Sequence, residues 1–191
     1  MLTGNLEFLI SSLPHLQFTS AFEARERAST IFKTYTTQED PVSLVDILNE
    51  ESAKYLSNDK YELFNNIQLE TIHSSEFLKS KYAVLSRFSK FNLNLKQQLQ
   101  AYRAAQKKSS EINKTPENTL SLEAGNPLEQ EIQIMALQWQ EIEHLSMDHF
   151  TDFEALIAYK IKLLLLQRWW NFDVTLGHEK YKNLIQMRDD G

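Results

Sequence analysis

Two Glu-x-x-His steps are the residues of this chain best suited to chemistry. They are Glu70–His73 and Glu141–His144. Residues three apart share one face of a helix, so each step would place a carboxylate beside an imidazole. Two such steps with two further glutamates form the di-iron site of ferritin-like bundles. Both steps fall at predicted helix ends, and no two additional inward-facing glutamates can be named. We therefore predict no metal, and a metal-binding helical-bundle enzyme is the alternative.

A second cluster combines imidazoles and carboxylates at His144, Asp148, His149 and Asp152. These residue types would suit zinc. However, Asp152 falls in the first turn of a predicted helix, and His144 falls in the last turn of the preceding one. The helix dipole favours both placements. We interpret the cluster as helix-end charge.

The sequence lacks the usual motifs of an enzyme. It has no Gly-rich phosphate loop, no Gly-x-Ser-x-Gly elbow and no cysteine. The absence of cysteine excludes a Cys nucleophile and thiolate metal ligands within this sequence. We predict no catalytic residues, no cofactor and no enzymatic activity.

Composition favours helices and argues against nucleic acid as a partner. The 191 residues include only four Gly and four Pro, whereas all-β folds need frequent turn residues. The formal net charge is −6, which repels nucleic acid unless basic residues cluster. The densest basic run, 103–108, lies where a helix should end, and cations are favourable there.

The elements that must position these residues are helices. We predict an all-α helical bundle in one domain, 1–191, with residues 5–10 as a short strand or extended entry segment. Residues 108–126 form a long internal loop. The predicted helices cover 20–34, a stretch starting at Pro41, 57 to about 73, 76 to about 107, a stretch starting at Pro127, 151–170 and 173–188. The step at 91–94 is either a kink or a change of face of its helix.

The helix over 151–170 is predicted to be the centre of the core. It is apolar on most faces, and Leu156, Leu163 and Leu166 should be buried. Its apolar run is interrupted by lysines and is shorter than the roughly 20 residues that span a bilayer. Asn126, Pro127 and Glu129 are the N-cap, first-position proline and N3 glutamate of a strong helix start. A capping box is predicted at Thr151 with Glu154.

Aromatic side chains are the candidate interaction residues. Adjacent Trp169 and Trp170 point about 100° apart on a helix, so only one can be centred in the core. We expect the other to lie under a neighbouring element or at an interface. The full set of candidate interaction residues is Trp169, Trp170, Phe77, Tyr82 and Phe88.

The C-terminal third resembles a family of small bacterial proteins of unknown function, domain of unknown function 2764, encoded alongside V-type ATP synthase subunits. The matching blocks are NPLEQE at 126–131, LQW at 137–139, FTDFE at 150–154, AYKIKL at 158–163, QRW at 167–169 and GHEKYKNLI at 177–185. Weaker matches are LISSLP at 9–14 and FNLNL at 91–95.

This family looks like a reduced relative of the C-type socket subunit of V-type ATPases, a non-catalytic protein between rotor ring and central stalk. The resemblance implies an all-helical adaptor for proton- or sodium-transporting ATP synthases. Its partners would be the central stalk and the rotor ring, with no nucleic acid. Its location would be cytoplasmic, peripheral to the inner membrane through protein contacts only. The full socket is longer than this chain, and a free-standing protein-interaction module is a further alternative.

Overall fold

The computed structural model describes residues 5–36, 43–108, 122–123 and 125–172, without the side chains of 105–108. This part of the chain forms eight helices and no strand, which confirms the all-α prediction. The helices are α1 Leu6–Ser12, α2 Phe22–Lys33, α3 Leu44–Ala53, α4 Asn58–Asn65, α5 Ser75–Leu78, α6 Ala83–Lys108, α7 Pro127–Leu145 and α8 Phe153–Trp170.

Helix α8 is the centre of the hydrophobic core, as predicted. It packs against α1, α3, α6 and α7, and Leu156, Leu163 and Leu166 are at most 1% exposed. A helix that is apolar on most faces must be surrounded to be stable in water, which explains its central position. None of the helices in the described ranges combines the length and apolarity needed to cross a membrane.

The start of α7 is fixed locally, as the sequence predicted. The Asn126 side chain accepts a hydrogen bond from the Glu129 amide at 2.9 Å. The Glu129 carboxylate accepts one from the Asn126 amide at 3.0 Å. Pro127 occupies the first helical position, where a missing N–H does no harm.

The start of α8 differs from the prediction. Its N-cap is Asp152, whose carboxylate accepts a hydrogen bond from the Ala155 amide at 2.8 Å, so the capping box of Thr151 with Glu154 is wrong. Glu154 instead accepts a hydrogen bond from the Val84 amide at 2.6 Å, at the start of α6. A residue of α8 therefore caps another helix, a contact that local sequence patterns do not contain.

The predicted helix over 76–107 is two helices. The single turn of α5 is followed by 79–82, where the Ser80 hydroxyl accepts a hydrogen bond from the Tyr82 amide. Helix α6 then begins against Glu154. It continues as one helix through 91–94.

The N-terminal segment is a helix, so the extended segment predicted for 5–10 is wrong. The Asn5 side chain accepts a hydrogen bond from the Glu7 amide at 3.1 Å and caps α1. Leu9 is buried, with half-buried residues on the same helical stripe. The partly buried residues of this stripe are Leu6, Ile10 and Leu13.

Other boundaries agree in part. Helix α2 lies within the predicted 20–34. Helix α3 begins at Leu44, because the backbone angles of Ser43 are not helical. This start is later than the predicted start at Pro41. Asp40 and Pro41, the predicted helix 173–188, and 109–121 and 124 of the predicted loop lie outside the described residues.

Candidate functional site

The two Glu-x-x-His steps lie in different surroundings. Helix α4 ends at Asn65 rather than near His73, so Glu70 and His73 lie in turns and not on a helix face. Glu141 and His144 lie on α7. In the described ranges, no group of three or more His, Asp or Glu side chains is arranged to hold a metal ion.

His73 and His144 also face separate depressions of the surface. His144 lines a cavity of about 250 Å³ between the start of α6 and the α7–α8 turn. His73 lines a groove between α6 and α7, where its Nε2 is 3.1 Å from Lys96 Nζ. The structure does not bring the two steps together, and the prediction that the protein holds no metal stays a prediction.

The helix-end cluster contains one ion pair. His149 Nδ1 is 2.6 Å from Asp152 Oδ2. This hydrogen bond raises the pKa of His149 above its usual value. Burial opposes the ionised form of Asp152, yet the hydrogen bonds from His149 and from the Ala155 amide lower the pKa of Asp152 overall. Asp152 therefore caps α8 through Oδ1 and pairs with His149 through Oδ2.

Three of the five predicted interaction aromatics are buried. Phe77 and Phe88 are at most 2% exposed, and Trp170 is 8% exposed. Trp170 Nε1 donates a hydrogen bond to the Thr19 carbonyl at 3.2 Å. These three side chains pack in the core.

Trp169 and Tyr82 are half-buried and keep a solvent-facing side. The Trp169 ring lies 4.3 Å from the Phe18 ring, centroid to centroid, and the Trp139 ring lies 5.4 Å from the same Phe18 ring. Tyr82 packs edge-on against Phe153 at 4.8 Å. As predicted, one of the adjacent tryptophans enters the core and the other lies under a neighbouring segment.

A groove between α6 and α7 is lined by five charged side chains. Its volume is about 290 Å³. We call it the α6–α7 groove, and the turn at 69–73 and the end of α8 complete its walls. Its lining residues are Leu69, Glu70, Ile72, His73, Asn92, Leu95, Lys96, Leu99, Arg103, Glu131, Ile134, Gln138 and Arg168.

Hydrogen bonds fix the walls of the α6–α7 groove. Gln138 Nε2 donates to Asn92 Oδ1 and links α7 to α6. Arg168 on α8 pairs with Glu131 on α7 at 2.5 Å. The groove is thus a fixed feature of the helix packing. Sequence reasoning missed it, because its residues come from four separated segments.

Lys160 is the second feature that sequence reasoning missed. It is fully buried, and its ammonium donates hydrogen bonds to the carbonyls of Phe64 and Asn65, the last residues of α4. The ammonium also lies over the Phe64 ring, 4.5 Å from the centroid. The spacing of Leu156, Lys160 and Leu163, which places a lysine on the buried stripe, was the available signal.

This burial has an electrostatic consequence. Removal from water lowers the pKa of Lys160 to about 7, and the carboxylate of Asp46 opposes that shift. The two carbonyls that Lys160 binds belong to the end of α4, where cations are favourable. We infer that this contact helps to end α4 at Asn65, eight residues before the predicted end.

The described residues form an all-α helical bundle. The features described above are depressions of its surface and contacts between its helices. Comparison with known proteins adds one finding. The sequence profile of a family described as protein of unknown function (DUF2764) matches residues 117–191. This segment contains α7 and α8. No curated protein and no solved structure matches the chain.

Proposed function

We propose that the protein is a non-catalytic subunit or assembly and adaptor protein of a bacterial V-type ATP synthase. The observation that carries the proposal is the C-terminal block over 126–185, which resembles the ATP-synthase-associated family and lies within the segment that the DUF2764 profile matches. The description of that family names no function. The relation to the socket of V-type ATPases therefore rests on the resemblance.

The fold supports an adaptor in physical terms. An adaptor needs helices held rigidly enough to transmit force between partners, and α8 contacts α1, α3, α6 and α7. Because cores are close-packed, such a helix transmits strain with little deformation. The blocks that resemble the family thus include much of α8, the helix on which α1, α3, α6 and α7 pack.

The proposed partners are the central stalk and the rotor ring. The net charge of −6 favours a partner with a basic face. Trp169 is the predicted interaction tryptophan that keeps an exposed side, and tryptophan is enriched at the centres of protein interfaces. The protein would remain on the cytoplasmic side, attached through protein contacts.

Co-purification tests the proposal. A tagged full-length chain should bring down central-stalk subunits and the rotor ring from gently extracted membranes of the native organism. A Trp169→Ala variant should capture less, whereas Leu164→Ala, another half-buried position of α8, should capture as much as wild type. If the tagged chain purifies without any of these subunits, the free-standing interaction module becomes the better proposal. Metal analysis of the dialysed protein checks the enzyme alternative in the same preparation.

A further inference from the structure

The floor of the α6–α7 groove is apolar, and one of its residues, Ile72, belongs to the main core. Leu95 and Ile134 are buried, yet they do not belong to the continuous core cluster around α8. Leu69 and Leu99 are half-buried beside them. The volume of about 290 Å³ lies at the lower end of the range for small-molecule pockets. A groove of this size accepts one or two side chains of a larger partner.

The rim of the groove is locally positive on an otherwise acidic protein. Its cations are Lys96, Arg103 and Arg168, and its carboxylates are Glu70 and Glu131, which gives a formal charge of +1 against −6 for the whole chain. Arg168 and Glu131 neutralise one another. The rim charges that remain without this neutralisation are the cations Lys96 and Arg103 and the carboxylate of Glu70.

Lys96 and Arg103 lie on the same face of α6. Seven residues separate them, which is two helical turns or about 10 Å. Within the described ranges neither forms an ion pair with a carboxylate. Lys96 contacts the imidazole of His73 instead, which keeps the ammonium beside the groove. Two cations so spaced, with Leu99 between them, match a segment that carries carboxylates on either side of an apolar residue.

We propose that the α6–α7 groove binds an acidic, amphipathic segment of a partner protein. An apolar side chain of the segment enters between Leu95, Leu99 and Ile134, and its carboxylates pair with Lys96 and Arg103. The inference rests on the part of the proposed function that makes this chain a binding protein. It does not require the partner to be an ATP synthase subunit.

Charge complementarity favours a protein segment over nucleic acid. Two cations beside a leucine-lined floor make few phosphate contacts, and affinity for nucleic acid depends on the number of phosphates neutralised. The net charge of −6 adds repulsion. An acidic peptide gains from both the cations and the apolar floor.

The test uses the isolated full-length chain and a fluorescein-labelled synthetic helical peptide with leucines on one face and glutamates flanking them. Fluorescence anisotropy measures its affinity. We expect binding that weakens with added salt, and that weakens when glutamines replace the glutamates or alanines replace the leucines. The double charge reversal Lys96→Glu with Arg103→Glu should lower affinity by about tenfold or more.

The matched control is Arg87→Glu with Lys90→Glu, the same charge change on exposed positions of α6 outside the groove. It should leave affinity nearly unchanged, and circular dichroism should show both double variants folded. Absence of binding by the wild-type chain, or an equal loss in the control, overturns the proposal. Equal binding of a single-stranded oligonucleotide also overturns it, as does self-association that the groove variant abolishes. A failed pull-down of ATP synthase subunits leaves this result unaffected.

Discussion

The ammonium of Lys160, in the middle of α8, donates a hydrogen bond to the carbonyl of Phe64 at the end of α4, 96 positions earlier in the chain. No carboxylate of the described residues forms an ion pair with it. A buried charge is tolerated only when hydrogen bonds replace its lost water, and here backbone carbonyls do so. The contact holds α4 against the central helix.

The buried ammonium predicts a pH-dependent stability. The pKa of Lys160 is about 7 in the folded protein against a reference value of 10.5. Between these values the unfolded chain holds a proton that the folded chain lacks, so the free energy of unfolding rises with pH. The rise is at most about 1.4 kcal/mol per pH unit. Below pH 7 both states are protonated, and the penalty is constant.

Urea unfolding of wild type and Lys160→Met from about pH 6 to about pH 9 measures this effect. The stability of wild type relative to the variant should increase as pH rises above 7. Lys162→Met is the control, because Lys162 is only half-buried and pairs with Glu143 at 3.5 Å. A wild-type-to-variant difference that stays constant across the range would show that Lys160 does not titrate there.

Removal of the contact between Glu154 and Val84 should destabilise the protein. Glu154→Ala deprives the Val84 amide of its acceptor and the start of α6 of a favourable charge, which costs about 1–2 kcal/mol. Glu154→Gln keeps an oxygen acceptor and should cost less. Chemical denaturation provides both values, and Glu62→Ala, at an exposed position of α4, should change stability little. Equal stabilities for Glu154→Ala and wild type would refute the capping role.

The core position of Leu163 predicts a large loss on truncation. The side chain is fully buried, so Leu163→Ala should cost about 2–5 kcal/mol through lost transfer energy and the cavity left behind. Leu164→Ala, at the next and half-buried position, should cost distinctly less. Thermal melting tests the pair, and a Leu163→Ala protein that melts within about a degree of wild type contradicts the central role of α8.

The ion pair of His149 with Asp152 predicts a modest stabilisation that is present at mildly acidic pH and lost as pH rises. The folded pKa of His149 is raised, so its contribution is complete below its usual value of 6.5 and is lost as pH rises through the folded pKa. His149→Gln should therefore remove stability mainly at mildly acidic pH. Because the pair is partly exposed, we expect about 0.2–1 kcal/mol.

NMR titration of the His149 ring protons gives the direct measurement. Replacement of Asp152 by Asn should bring the titration midpoint of His149 down. A midpoint that does not move in Asp152→Asn would mean that the ion pair does not form in solution.

Local signals in the sequence predicted the parts of the fold that local interactions decide. Asn126, Pro127 and Glu129 lie within one turn of each other, and the start of α7 is where they place it. The apolar surface of 151–170 likewise required a central helix, and the structure confirms it. The 100° between Trp169 and Trp170 correctly implied that only one of them enters the core.

The incorrect boundaries depend on contacts between distant residues. Helix α6 begins at Ala83 against the carboxylate of Glu154, and α4 ends beside the ammonium of Lys160. Neither partner is near the boundary in sequence. The α6–α7 groove was missed for the same reason, since its walls come from four segments. The N-terminal helix is different, because the stripe of Leu6, Leu9, Ile10 and Leu13 was present and was not recognised.

The position of α8 after the other described helices has a consequence for biosynthesis. Helices α1, α3, α6 and α7 all pack on it, so their apolar faces have no complete surface to cover them until Trp170 has been synthesised. At ordinary rates of translation, the interval between the synthesis of α1 and that of α8 is on the order of ten seconds. During this interval the nascent chain exposes the side chains that later form the core. The bundle therefore folds only once α8 has left the ribosome, and this helix then organises those made before it.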